Sequence, residues 1–372
     1  MPWPSLGDLL AGFNTRRSNV GRVLSLGWQR LRARSHQAVL EDGVATTPLA
    51  RQLLGQGADS FAPFYRAFVD KRFGMHQRFV EYRHNLEAAE AVFGAPACAA
   101  FGEGRRVTLV RVGDHTIELG INDKCLQEGL WALSLRDAEG RVLSRLSFLL
   151  LSDERLLLGA VQGPKMHDQA ALAGIRQATR VFHGMRPAYL LLDMVKLLAA
   201  QWRLQLIAVD PLHKARTRRW RSATASRLFF DYAAFWRENA GAPGRDGFWH
   251  LDRHVDWRDP EDAPARKRAM YKRRAEFMSA LPALARAGLA GAAAEAAPVA
   301  APVVALGSVD AAAPHDQAHA AKAGRQQRQA ARLRDGADRE VRRERLDCAA
   351  LVLDPGRRVG RQVDVQAMAA NG

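Results

Sequence analysis

In 181-VFHGMRPAYLLLDMVKLLAAQW-202, an apolar helical pattern stops at His183-Gly184-Met185-Arg186-Pro187 and then resumes. Gly184 and Pro187 both break helices, so the spacing predicts two helices meeting here instead of one running through. Pro187 suits the first turn of the second helix, where a missing N–H costs nothing. The free amides of that helix start would lie beside Arg186 and His183, which outlines an anion-binding corner.

The flanking segments set the architecture. A helix over about 168–182 precedes the break, and the second helix over about 187–202 leads directly into the short apolar run 205-QLIAVD-210, read as a buried strand. Upstream, 106-RVTLVRVG, 115-HTIELGIN, 130-LWALSLRD, 141-RVLSRLSFLLLS and 155-RLLLGAVQG are strand-like and separated by turn signals, which predicts an antiparallel meander. Downstream come a basic loop, an aromatic-rich helix at 228–239, a Gly/Pro-rich turn at 240–247, a strand at 247–252 and a basic helix ending near 281. Residues 1–100 read as a helical N-terminal region. Within it, Phe61, Phe64, Phe68, Phe73, Phe79 and Leu86 predict a helix over 61–94 with one buried aromatic face. The core is placed at 101–283. The Ala/Pro/Arg-rich 284–372 lacks large apolar residues at a folding period and reads as a disordered linker and tail. The fold class is α+β, an antiparallel sheet with flanking helices. Its element order resembles the Gcn5-related acyltransferase architecture, in which a phosphate-bearing acyl carrier docks where a strand feeds a helix.

The 372 residues carry a formal charge of +16. Residues 284–372 hold 13 Lys/Arg against 10 Asp/Glu, so the first 283 residues carry +13. The folded part is basic, which points to an anionic partner. Three widely spaced cysteines, Cys98, Cys125 and Cys348, form no CxxC pair and argue against a disulfide framework or a metal site. No signal peptide and no run of roughly 20 apolar residues is visible, so the expected location is cytoplasmic, peripheral at the inner membrane at most.

Several segments in order resemble the VirK/YbjX family of bacterial proteins: 121-INDKCLQEGLWALSLRD-137, 144-SRLSFLL-150, 158-LGAVQGP-164, 174-GIRQATRVFHGMRP-187, 207-IAVD-210, 231-DYAAFWRENAG-241 and 266-RKRAMYKRR-274. The resemblance covers roughly 60–282. It implies a protein linked to virulence, cell-envelope behaviour or resistance to cationic antimicrobial peptides, and carries no catalytic assignment.

Three constellations remain as candidate sites. The first joins Gln162 and Gly163, at the end of a strand, to His183, Gly184 and Arg186. The guanidinium would supply a planar fork to a phosphate or carboxylate, such as a phospholipid headgroup, and His183 a donor or an acid/base. The second is the basic loop with Lys214, Arg216, Arg218, Arg219 and Arg221 around Trp220, which suits an anionic small molecule or an anionic membrane surface. Nucleic acid is disfavoured, because no nucleic-acid fold signature accompanies the loop. The third is 231-DYAAFW-236, where Tyr232 is a candidate general acid for an acyl-CoA-type carrier, against the plainer reading that the aromatics pack the core and Asp231 pairs with an arginine. Glu128 and Asp210 are the best acid/base carboxylates, Asp210 as a partner for His213 or Arg186. No HExxH, GxSxG, P-loop or GxGxxG occurs.

Overall fold

The computed structural model describes residues 3–13, 20–41, 47–55, 57–164, 169–215, 230–255 and 259–292. All lie in the first of the two units into which the chain divides, Met1–Leu306 and Gly307–Gly372.

The N-terminal region forms α1 (Leu6–Gly12), α2 (Val20–Arg34), α3 (Ala38–Glu41), α4 (Pro48–Leu54), α5 (Ala62–Tyr65), α6 (Met75–Phe93) and α7 (Ala95–Gly102). Ser5 caps α1 in a reciprocal box with Asp8, and the Thr47 side chain caps α4. The aromatic residues at 61–79 are buried as expected. The single helix over 61–94 is not found. The chain turns at Arg66–Phe73, where Val69 takes a positive φ of 55°, and α6 starts anew after Gly74. The apolar residues keep helical spacing across two helices and an irregular segment because all of them face one core.

The sheet comprises β1 (Val107–Val112), β2 (His115–Ile121), β3 (Trp131–Arg136), β4 (Val142–Leu150), β5 (Arg155–Gln162), β6 (Gln205–Val209), β7 (Gly241–Pro243) and β8 (Phe248–Leu251). Its order is β1-β2-β3-β4-β5-β6-β8-β7. β1 to β5 form the expected antiparallel meander. The β5–β6 pair is parallel, because α8 (Gln169–Val181) and α9 (Pro187–Gln201) carry the chain back across the sheet. β4 is central, with every residue from Leu143 to Leu150 buried. β7 arises inside the stretch read as a turn; as an edge strand it tolerates Pro243.

α8 ends as the sequence requires. His183 and Gly184 adopt φ of 53° and 81°, the Gly184 amide donates to the Thr179 carbonyl at 2.6 Å, and that of His183 to Arg180 at 3.1 Å. This is a left-handed helix cap, and Pro187 opens α9 immediately after it. α10 (Tyr232–Glu238) packs beside β7, and α11 (Ala265–Gly291) crosses β1 and α9. Ala285, Leu289 and Ala292 are buried, so the packed helix continues beyond 283, where the core was expected to end.

Helices and sheet share one core, running from Leu9 to Ala292. At its centre Asn85 of α6, fully buried, accepts from Trp131 Nε1 at 2.8 Å and from the Leu150 amide at 2.9 Å. Its amide nitrogen donates to the carbonyls of Leu150 and Glu81, each at 2.7 Å. One polar side chain thus ties α6 to β3 and to the end of β4, and all its donors and acceptors are used.

Candidate functional site

The residues expected to form one site fall into two places. The helix corner opens onto a cavity of about 780 Å³ between α9, α10, α11 and the segment after β8, within the usual size of small-ligand pockets. Arg186, exposed as the first flanking residue of α9, lines its mouth together with Gly184. Arg274 reaches in from α11. It donates through Nη2 to the His183 carbonyl at 2.8 Å and lies 4.9 Å from the Tyr271 ring centre. Among the described residues no carboxylate forms an ion pair with Arg186 or Arg274. Buried Lys196 donates to the Asn239 carbonyl at 3.0 Å, and the Tyr189 hydroxyl donates to Glu238. Asp193, one turn before Lys196, is half-buried, and burial pushes its carboxyl up to about 6 against the opposing pull of Lys196 and Arg274.

His183 does not serve this cavity. Its ring sits edge-on to Phe277, and its buried Nε2 has no hydrogen-bond partner among the described residues. Burial, then Arg273 and Arg274, lower its pKa, so the ring is held neutral. Its backbone matters more than its ring.

The second cluster sits where β5 and β6 part. Their pairing runs from Arg155↔Gln205 to Leu158↔Ala208, while β5 continues to Gln162 paired only with β4. β5 bulges at Gly159, since Leu158 faces Phe148 and Ala160 faces Ser147. Side chains take the place of the missing strand partner. Lys214 donates its ammonium to the Gly159 carbonyl, and the Tyr232 hydroxyl donates to the Val161 carbonyl at 2.9 Å. The Lys214 nitrogen lies 4.0 Å from the centre of the Tyr232 ring. Gln162 donates to the buried Glu128 carboxylate. Burial draws Lys214 down to about 8, against the charge of Glu128, and burial pushes the Tyr232 hydroxyl well above its ordinary range.

Lys214, read from the sequence as part of a basic ligand-binding loop, is 4% exposed and turned into the protein. Spacing could not show this, because the ammonium is drawn inward by a carbonyl 55 positions away in the chain. Arg216, Arg218, Arg219 and Arg221 lie outside the described residues. Gly163 is exposed with open space around its Cα. Asp210 orients neither His213 nor Arg186; its carboxylate accepts from the Leu212 amide at 2.8 Å and from Trp249 Nε1 at 3.2 Å. Asp231 caps α10 through the Ala234 amide, and among the described residues it pairs with no arginine, while Tyr232, Phe235 and Trp236 are buried. Sequence reasoning missed Arg274, Lys196 and Asp193. The i, i+3 spacing of Asp193 and Lys196 was a visible signal, but nothing local places α11 against α9. Among the described residues no group of three or more His, Cys, Asp or Glu gathers as a metal site would, and no helix is long and apolar enough to cross a membrane.

Residues 19–285 match the family described as "Protein of unknown function (DUF535)". The chain belongs to this family. An uncharacterized protein of Haemophilus influenzae is 32% identical over 212 residues, covering 57% of this chain and 71% of its own length. A protein of Mannheimia haemolytica named "Membrane protein LapB" is 32% identical over 209 residues, 53% of this chain and 86% of its own. The uncharacterized protein YbjX of Escherichia coli is 28% identical over 171 residues, 45% of this chain and 51% of its own. The VirK/YbjX resemblance is thereby borne out. No solved structure matches. In this DUF535 chain the segments that carried the resemblance hold Glu128, Gln162, Arg186, Tyr232 and Arg274, and so reach both clusters.

The Asp193 carboxyl makes the cavity readable by pH. Its pKa is raised in the folded state, so folding disfavours the charged form. The penalty is absent below pH ~4, where the group is protonated folded or unfolded, grows between pH ~4 and 6, and is fully present above. Asp193→Asn is therefore expected to raise stability at pH 7–8 by about 1–2 kcal/mol, the full shift being discounted for partial exposure. The gain should vanish near pH 4. Urea unfolding at both pH values checks it, and a variant less stable than the parent at pH 8 would contradict the burial argument.

Proposed function

We propose that the protein binds an anionic ligand, carrying a phosphate or carboxylate, in the cavity at the start of α9. One observation carries this: Arg186 and Arg274 line the same cavity, and neither is ion-paired to a carboxylate among the described residues. Arginines without a carboxylate partner that converge on a concave surface suit recognition of such groups. Arg186 would act through its planar fork, and Arg274, whose Nε and Nη2 are on the His183 carbonyl, through its charge and remaining N–H groups. Asp193, Glu238 and Asp252 on the same walls would meet the hydroxyl or amine groups of a headgroup-like molecule, so the cavity fits a polar anion better than a bare one. The ligand is either a free phosphorylated metabolite or the headgroup of a lipid, and a role in cell-envelope maintenance follows from the second. The name of the Mannheimia haemolytica relative supports that setting.

Titration of the full chain with glycerol 3-phosphate, glycerophosphoethanolamine, inorganic phosphate and acetate tests this reading. Arg186→Lys, which keeps the charge and loses the fork, should weaken the best binder about tenfold, and Arg274→Gln more. Arg186→Lys should leave the melting temperature nearly unchanged, whereas Arg274→Gln also removes the bonds to the His183 carbonyl and should lower it, so affinities are compared per folded protein. Affinity unaltered in both variants, or binding of none of these probes, would overturn the reading.

A second reading rests on the parting of β5 and β6, where Glu128, Gln162, Lys214 and Tyr232 gather. In an acyl transfer there, an acceptor amine would attack a carrier thioester and the C–S bond would break. The acceptor proton would pass to Glu128 and the Tyr232 proton to the departing thiolate. Release of free thiol from acetyl-CoA by the full chain that depends on an added primary amine as acceptor, with no binding of the phosphate probes, would favour it over the first.

A further inference from the structure

α2 is basic and carries an apolar stripe on its outer side. Val20, Leu24, Trp28 and Leu31 are 63%, 67%, 58% and 55% exposed, and they are four of the five exposed large apolar side chains among the described residues. At 100° per residue they fall within an arc of about 80° along a helix about 22 Å long. Leu26 and Ala33, on the far side, are buried against the rest of the N-terminal helices. The exposed stripe is therefore not a core face seen from the wrong side.

Charge follows the same pattern. The helix contains Arg22, Arg30, Arg32 and Arg34 and no Asp or Glu. The Arg30 guanidinium is anchored to the Pro4 carbonyl at 3.0 Å. Arg32 and Arg34 are exposed and project about 40° beyond either edge of the apolar arc, by the same helical spacing. Soluble surfaces scatter single apolar residues but seldom align them. A tryptophan and leucines in line, bordered by arginines, match an interfacial helix whose apolar side enters the boundary between headgroups and acyl chains.

We propose that the outer face of α2 docks onto an anionic phospholipid bilayer, lying in its surface. Val20, Leu24, Trp28 and Leu31 would enter the apolar boundary while Arg32 and Arg34 meet lipid phosphates. A second copy of the chain fits this face less well, since α2 offers itself no carboxylate to balance its arginines. The inference is independent of the cavity at α9.

Flotation of the full chain with vesicles of phosphatidylcholine alone, and of phosphatidylcholine with a quarter phosphatidylglycerol, tests it. The parent should float with the anionic vesicles, and less so as salt screens the arginines. Leu24→Gln, Trp28→Gln and Leu31→Gln together should lower the partition coefficient by about tenfold or more with an unchanged melting temperature, the side chains being solvent-exposed before docking. Arg32→Gln with Arg34→Gln should remove the preference for anionic over neutral vesicles. Trp28→Ser alone, a milder change, should show a smaller loss of the same kind. If the α2 triple variant floats like the parent while the Arg186→Gln, Arg274→Gln double variant does not, lipid is captured by the cavity and the assignment to α2 falls. Failure of the parent to float also overturns it, as does a lipid-free dimer that the triple variant converts to monomer.

Discussion

Gly159→Ala is expected to cost more than about 3 kcal/mol, or to prevent folding, although it adds a single methyl group. A Cβ at Gly159 would overlap the carbonyl oxygen of Glu128 and stand 3.1 Å from Val69 Cγ1. Neither side can yield easily. β5 is held at the bulge by Leu158 opposite Phe148 and Ala160 opposite Ser147. The Glu128 loop is fixed by the Glu128 amide, which donates to Cys125 at 2.9 Å, and by Gln127, whose carbonyl accepts from Val69 at 2.8 Å. The added methyl would also move the Gly159 carbonyl that receives Lys214, and separate Glu128 from Gln162. Gly163→Ala, four residues on, meets nothing within 4 Å and should stay within about 0.5 kcal/mol of the parent. Urea unfolding of the pair checks the argument. Equal midpoints for both variants would show that the loop is free to lift from β5.

Asn85→Ala should cost about 3–5 kcal/mol, more than its lost volume explains. The substitution leaves Trp131 Nε1 and both backbone groups of Leu150 without the partners Asn85 supplies. These groups lie in the dry centre of the core, beside Phe93 and Phe101, where water cannot replace the side chain. Each orphaned group costs about 1–3 kcal/mol. Asn85→Asp retains the acceptors, loses both donors and buries a charge, so it should be no better near neutral pH. A loss below about 1 kcal/mol for Asn85→Ala would mean that water enters the core. Chemical denaturation followed by far-ultraviolet dichroism and by tryptophan fluorescence reports the loss by two probes.

The sequence by itself determined the elements where side-chain period and chain-breaking residues agree. The five strands from Val107 to Gln162 alternate or run apolar between turn residues, and a strand's period needs no knowledge of its neighbours. The corner at His183–Pro187 was equally legible, because a left-handed cap followed by proline is a local backbone demand. The burial of Phe61, Phe64, Phe68, Phe73 and Phe79 was legible as well, though not the break between their helices.

What only the tertiary structure decided is how charged groups are paired and which of them meet. Lys214 is buried because β6 stops short and leaves the Gly159 carbonyl in need of a donor. Gln162 and Arg186, read together as one site, sit in different places because α8 lies between them and carries the corner away from the end of β5. Arg274 joins Arg186 only because α11 packs across α9. The outward stripe of α2 has the same spacing as a core face, and only the packing of Leu26 and Ala33 shows which side is covered. A short-range pattern fixes local backbone geometry, since φ and ψ respond to near neighbours. Long side chains respond instead to whatever field and unsatisfied groups surround them after folding, and those are set by contacts remote in sequence.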